Sequence, residues 1–266
     1  MKNIKKASIK KGRIDLELES NDENLLDIFD IISQENSNDV EIDIDLLRKH
    51  IEKEISLLRF SELYKGLNFY KRYKNELRGL RIDFDRLERT SFSFNYAVLI
   101  LKFFKEMEIL NESEMERVRN IVESNLDYRY NYFTYEAIKD LFEYDRELAK
   151  KLIKKLIVKY CNRAFCDEIE STFLNALEFK SEANEFVVLL RIVELVFSND
   201  IESEFKDELQ MLREKIRDAI RNFDFSFKST LITMFNSEYY RKLALIMIRI
   251  LEDDELKKIA IKYACG

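Results

Sequence analysis

The chain has no proline and only four glycines in 266 residues. Proline and glycine punctuate turns, hairpins and phosphate-binding loops, so a chain this poor in both is built mainly from helices joined by short polar turns. Four scattered glycines supply neither G-x-x-x-x-G-K-[ST] nor G-x-G-x-x-G, which sets aside phosphate and dinucleotide sites of those kinds. Histidine is nearly missing too: His50 stands alone, which excludes His-rich metallohydrolase sites and two-histidine di-iron bundles. Cys161, Cys166 and Cys265 are too few for a disulfide framework and form no Cys–His zinc pattern. Cys161 and Cys166, five residues apart on a helix, point in different directions and read as inert buried thiols. The longest apolar runs, such as Phe186–Leu190 and Leu243–Ile248, fall far short of a membrane span. Residues Met1–Lys11 are basic but no apolar stretch follows, so no secretory signal is expected and a cytoplasmic location is.

Part of these shortages reflects nucleotide bias, since Lys, Ile, Asn, Phe and Tyr abound where Pro, Gly, Ala and Trp are scarce. Two glutamines, Gln34 and Gln210, beside many Glu and Lys give a thermophile-like composition, although asparagine is not depleted. Hydrophobic residues make up 46% of the chain, enough for a sizeable core. The formal net charge is −6, and its layout is uneven. Residues 1–13 carry six bases and no acid, residues 14–46 twelve acids and no base, and residues 47–89 twelve bases against seven acids. Blocks of this kind seldom arise from a uniformly mixed surface.

Two stretches alternate strictly. Ile14, Leu16 and Leu18 interleave with Asp15, Glu17 and Glu19, and Val40, Ile42, Ile44 and Leu46 with Asp39, Glu41, Asp43 and Asp45. Period-two alternation predicts half-buried strands. Gly12 is placed to turn a hairpin between 4–10 and 13–19, and Leu25, Leu26, Ile28, Phe29 and Ile32 fit a helix face between the strands. From about residue 45 the helical period takes over, predicting helices at 45–60, 61–79, 94–109, 112–125, 134–144, 146–161, 165–179, 183–198, 202–222, 227–236, 238–252 and 254–264. Asn111 with Glu114 and Asn199 with Glu202 fit capping boxes; Asp145 and Ser237 fit caps at other junctions. Ala97–Phe104, Phe186–Phe197 and Leu243–Leu251 are apolar nearly all round, as in the middle of a packed layer. A degenerate echo at an offset of 93 relates Ile138, Leu141, Phe142, Leu152 and Ile153 to Leu231, Met234, Phe235, Leu245 and Ile246, with no trackable shorter period.

The first candidate site is the basic–aromatic stretch 59–89. Arg59, Lys65, Lys71, Arg72, Lys74, Arg78 and Arg81 alternate there with Phe60, Tyr64, Phe69, Tyr70, Tyr73 and Phe84. Cations beside exposed rings are what nucleic-acid binding requires, charge for phosphates and rings for base stacking. The competing reading puts the rings in the core and pairs the cations with the acidic block. The second candidate is the set Asp15, Glu17, Glu41, Asp43 and Asp45: a solvated sheet face in the simplest reading, a docking surface for a basic partner in the functional one, a divalent-cation site in a third. Tyr128, Tyr130, Tyr132, Phe133 and Tyr135 read as an interhelix corner in preference to an aromatic recognition surface. His50, with Glu54 one turn on, reads as a surface helix position, because no nucleophile or third partner is marked. Asp253-Asp254 resembles half of the paired-aspartate motif of helical prenyl-chain enzymes, but Lys257 stands where a third acid is expected and a helix cap explains the pair more simply.

These readings predict a mainly α fold: antiparallel helical hairpins in a bundle or a short HEAT/armadillo-like array, with a small N-terminal β-containing element at 1–46 and an all-helical domain at 47–266. The expected function is non-enzymatic: a scaffold or adaptor presenting a helical surface to another protein, with no cofactor, no metal and no membrane. The alternatives are a nucleic-acid-associated factor using 59–89 and a helical enzyme with a carboxylate metal site. Oligomeric state is not legible in the sequence.

Overall fold

The computed structural model describes residues 4–10, 13–18, 44–126, 130–163, 167–178 and 184–264. It is mainly helical. Two strands, β1 (Ile4–Lys10) and β2 (Arg13–Leu18), pair antiparallel, with Ile9 opposite Ile14 and Ala7 opposite Leu16. Residues 19–43, which hold the remainder of the expected N-terminal element, lie outside the described residues. The contacts divide the chain into two compact units, residues 1–125 and 126–266.

In the first unit, α1 (Ile44–Ser56) is followed by two short helices, α2 (Phe60–Lys65) and α3 (Leu67–Tyr70), and a 3-10 turn at Lys71–Tyr73. Then come α4 (Phe84–Arg89), α5 (Phe94–Met107) and α6 (Glu112–Ser124). The expected strand at 40–46 is corrected where it can be read: Ile44, Asp45 and Leu46 form the first turn of α1. Leu47, Ile51 and Ile55 recur at helical spacing and are all buried, and Asp45 lies at the favourable positive end of the helix dipole. The expected single helix at 61–79 is broken. The break falls at Gly66, where only glycine fits, because a Cβ there would lie 2.7 Å from the ring of Tyr70. The core of this unit is aromatic: Phe60 meets Phe103 and Phe104 edge-on at centroid distances of 5.8 and 5.6 Å, a favourable ring geometry.

The second unit contains α7 (Tyr132–Tyr144), α8 (Arg146–Cys161), α9 (Asp167–Leu177), α10 (Glu185–Ser198), a 3-10 turn at Glu202–Glu204, α11 (Lys206–Arg221), α12 (Phe227–Met234), α13 (Glu238–Leu251) and α14 (Asp254–Ala264). The largely apolar α10 is the centre of the unit, buried continuously from Phe186 to Leu190 and packed against α7, α8, α9 and α13. Helix α8 packs on α7 and α11, and α9 on α12. The N-cap residues of α7, α10 and α13 are Asn131, Asn184 and Ser237, equally spaced, since 184 − 131 and 237 − 184 are both 53. Asn111 and Glu114 form the expected capping box, and Asp145 accepts from the amide of Leu148. Asn199 is a correction: it ends α10, where its amide Nδ2 donates to the carbonyl of Leu195, and α11 begins at Lys206 instead of near 202.

The glycine shortage reappears in how helices end. An αL residue usually closes a helix, and glycine usually fills that position. Here it is filled by Leu58 (φ 60°), Glu108 (φ 53°), Asp200 (φ 54°) and Glu252 (φ 52°). Leu58 and Asp200 sit in Schellman turns: the Arg59 amide donates to the carbonyl of Glu54, and that of Ile201 to Val196. Glu108 and Glu252 form the simpler turn, their amides reaching back to Phe104 and Ile248.

Candidate functional site

The chain from Arg59 to Arg89 wraps around α1 and α5, and four of its six rings are buried, while Tyr73, beside Arg72, is only half-buried. Phe60, Phe69, Tyr70 and Phe84 are buried, and Tyr64 is half-buried with the Lys102 ammonium 5.2 Å from its ring centre. Leu77 and Leu80 anchor the loop after the 3-10 turn. Two residues of α1, one helical turn apart, clamp that loop from outside. Arg48 donates to the carbonyls of Glu76, Arg78 and Gly79, and Glu52 Oε1 accepts from the amide of Arg81 at 2.7 Å. Gly79 turns the chain there with φ +73°, a conformation that glycine adopts without strain.

The seven basic candidates divide into two groups. Arg59 approaches Glu54 at 3.9 Å, Lys65 binds Glu62 at 2.8 Å, Lys71 pairs with Glu106, and Lys74 pairs with Glu108. The side chain of Glu108 is held below the usual carboxylate range first by its hydrogen bond to Lys74 and then by the charges of Lys74, Lys71 and Arg78. Arg72, Arg78 and Arg81 are exposed and make no ion pair among the described residues. The partners of the paired cations are therefore acids of α1, α2 and the end of α5.

Beneath this stretch lies a polar group inside the core. His50 and Glu54 are only 8% and 4% exposed, so the expected surface position of His50 is corrected. The reason is geometric: His50 and Glu54 share the α1 face with Leu47 and Ile51, and that face packs on α2. The Tyr70 hydroxyl lies 3.5 Å from His50 Nε2, and its pKa is raised far above the ordinary value, chiefly by burial and then by the charge of Glu54.

Of the acidic candidates, Asp15 and Glu17 occupy β2, opposite Ser8 and Lys6 in the ladder. Glu41 and Asp43 lie outside the described residues, and Asp45 is exposed in the first turn of α1. The tyrosine run splits. Tyr130 is core, its hydroxyl donating to the carbonyl of Leu156 at 2.6 Å, with the Arg163 guanidinium 4.9 Å from its ring centre. Tyr132 and Phe133 are 59% and 66% exposed, which corrects the interhelix-corner reading for this pair. Their rings meet edge-on at 6.3 Å on the first turn of α7. Tyr128 lies outside the described residues. Cys161 is half-buried, and burial pushes its thiol up to about 11, which suits an inert side chain.

Two features escaped sequence reasoning. Arg48 was not singled out, because nothing local says that a helix residue will cap a loop nearly thirty positions away. Helix α8 carries six bases, Arg146, Lys150, Lys151, Lys154, Lys155 and Lys159, against the single acid Glu147, an imbalance that a helix-by-helix charge count reveals. Lys150 binds Glu147 and Glu204, each at 2.9 Å, and Lys154 lies 3.4 Å from Glu208 with its ammonium over Phe205, so part of that charge fastens α8 to α11 and the turn before it. Among the described residues no group of three or more His, Cys, Asp or Glu side chains is arranged to hold a metal ion, and no helix is long and apolar enough to cross a membrane. Compared with known proteins, the chain matches no family model, no curated protein and no solved structure.

Proposed function

We propose that this protein is a non-enzymatic scaffold or adaptor that presents a helical surface to a protein partner in the cytoplasm. The observation that carries the reading is the exposed ring pair Tyr132–Phe133 on α7. Apart from local contacts of Tyr132 with Glu136 and Tyr135, these two large rings stand in water at the start of a well-packed helix. Aromatic side chains in that setting are the usual anchors of protein interfaces, where they bury large area at low entropic cost. The finer architecture we propose is a short HEAT/armadillo-like array in residues 126–266, in which α7, α10 and α13 are equivalent members. The packing of α10 against both α7 and α13 and the 53-residue spacing of their caps support it. The small N-terminal β-containing element at 1–46, distinct from a helical domain at 47–266, belongs to the same proposal.

The nucleic-acid alternative loses one of its two supports, because four rings of the basic–aromatic stretch are core residues and offer no stacking platform. Affinity purification of the full chain from its native host, with and without nuclease, separates the two. The scaffold reading expects a protein recovered equally in both; recovery of nuclease-sensitive material alone overturns it.

A further inference from the structure

The loop 72–81 carries three exposed arginines that make no ion pair among the described residues, Arg78 contributing only a weaker charge interaction with Glu108. Its backbone is fixed by Arg48 at the carbonyls of Glu76, Arg78 and Gly79 and by Glu52 at the amide of Arg81. Its apolar side chains Leu77 and Leu80 are buried. The neighbouring lysines Lys71 and Lys74 occupy Glu106 and Glu108, so those two acids are already engaged. Arg78 and Arg81 thus project from a backbone that is already held in place, and Arg72 from the 3-10 turn just before it. Preorganisation of this kind lowers the entropic cost of association, and an arginine fork fits a carboxylate in two-point contact better than a lysine does.

We infer that Arg72, Arg78 and Arg81 form the docking site for an acidic segment of a protein partner. The inference rests on the scaffold reading and names the chemistry of the partner at a second surface. Carboxylates fit the site better than nucleic acid for two reasons on the page. The rings Phe60, Phe69, Tyr70 and Phe84 are turned into the core and Tyr73 is half-buried, leaving little ring surface for base stacking beside the three arginines. The chain as a whole carries −6, which opposes a long polyphosphate more than a short acidic segment. Arg86 is equally exposed and has no ion pair among the described residues, but it lies beyond the loop on α4 and provides the control.

The test is fluorescence anisotropy at low salt with the full chain. The probes are a labelled Glu-Ser repeat peptide of about twelve residues, long enough when extended to span the loop, and a single-stranded oligo-dT of matched charge. The expected result is saturable peptide binding that R72Q/R78Q/R81Q weakens by about tenfold or more while R86Q leaves it unchanged. Unchanged far-UV circular dichroism shows that the triple variant still folds. No peptide binding, equal loss in R86Q, or tighter binding of the oligonucleotide than of the peptide overturns the inference. Recovery of a protein partner in the nuclease experiment together with any of these results leaves the scaffold reading standing and removes only this site.

Discussion

At the scale of single residues, the consequences of a glycine-poor chain are energetic as well as compositional. A left-handed backbone crowds the Cβ of any L-residue against the following carbonyl, at a cost of about 1 kcal/mol or more that glycine avoids. Asp200 holds φ 54° at an exposed Schellman turn. Asp200→Gly is therefore expected to raise the unfolding free energy by up to about 1 kcal/mol in urea denaturation, whereas Lys139→Gly inside α7 lowers it by about the same amount. Equal destabilisation by both would show that the αL position carries no strain. Charge at this scale gives a second expectation. Hydrogen bonds from Arg117 hold Asp85 and Glu88 below the usual carboxylate range, and Lys74 does the same for Glu108. A carboxylate with a depressed folded-state pKa contributes stability above its unfolded pKa and loses it as pH falls through the folded one. The melting temperature is expected to be flat near neutrality and to fall with acidification below about pH 4, more shallowly in Arg117→Gln and at high salt, because these groups are exposed and screened. An identical acid slope in Arg117→Gln contradicts this.

At the scale of elements, the fold was legible wherever a local signal fixed it. The spacing of Leu47, Ile51 and Ile55 and the caps at Asn111 and Asp145 located α1, α6 and α8 to within a few residues. What was not legible depends on contacts distant in sequence. The loop that follows α3 is fixed by Arg48 and Glu52 of α1, nearly thirty residues away in the chain. The basic–aromatic stretch was found from composition, but which of its cations would remain without partners was not, since Glu106 and Glu108 arrive from the far end of α5. The role given to Arg48 has a direct check. Arg48→Met keeps the aliphatic stem and removes the hydrogen bonds, so a loss of about 2 kcal/mol of stability is expected, together with faster amide exchange confined to 76–81. Unaltered exchange in that loop would mean that the clamp does not hold it.

At the scale of the whole molecule, the described residues place most large side chains in two aromatic and aliphatic cores and leave the Tyr132–Phe133 pair in water. A single exposed ring needs no explanation, but two in contact at the head of a helix whose opposite face holds Ala137, Ile138 and Leu141 are the feature on which the proposed scaffold role rests. The decisive measurement compares the wild type with Tyr132→Ser/Phe133→Ser in affinity purification from the native host after nuclease treatment, each variant first shown to melt cooperatively at a similar temperature. The account predicts that the double variant folds and loses the protein partner that the wild type retains. Retention of the same partner, in the same amount, by the folded double variant would contradict it.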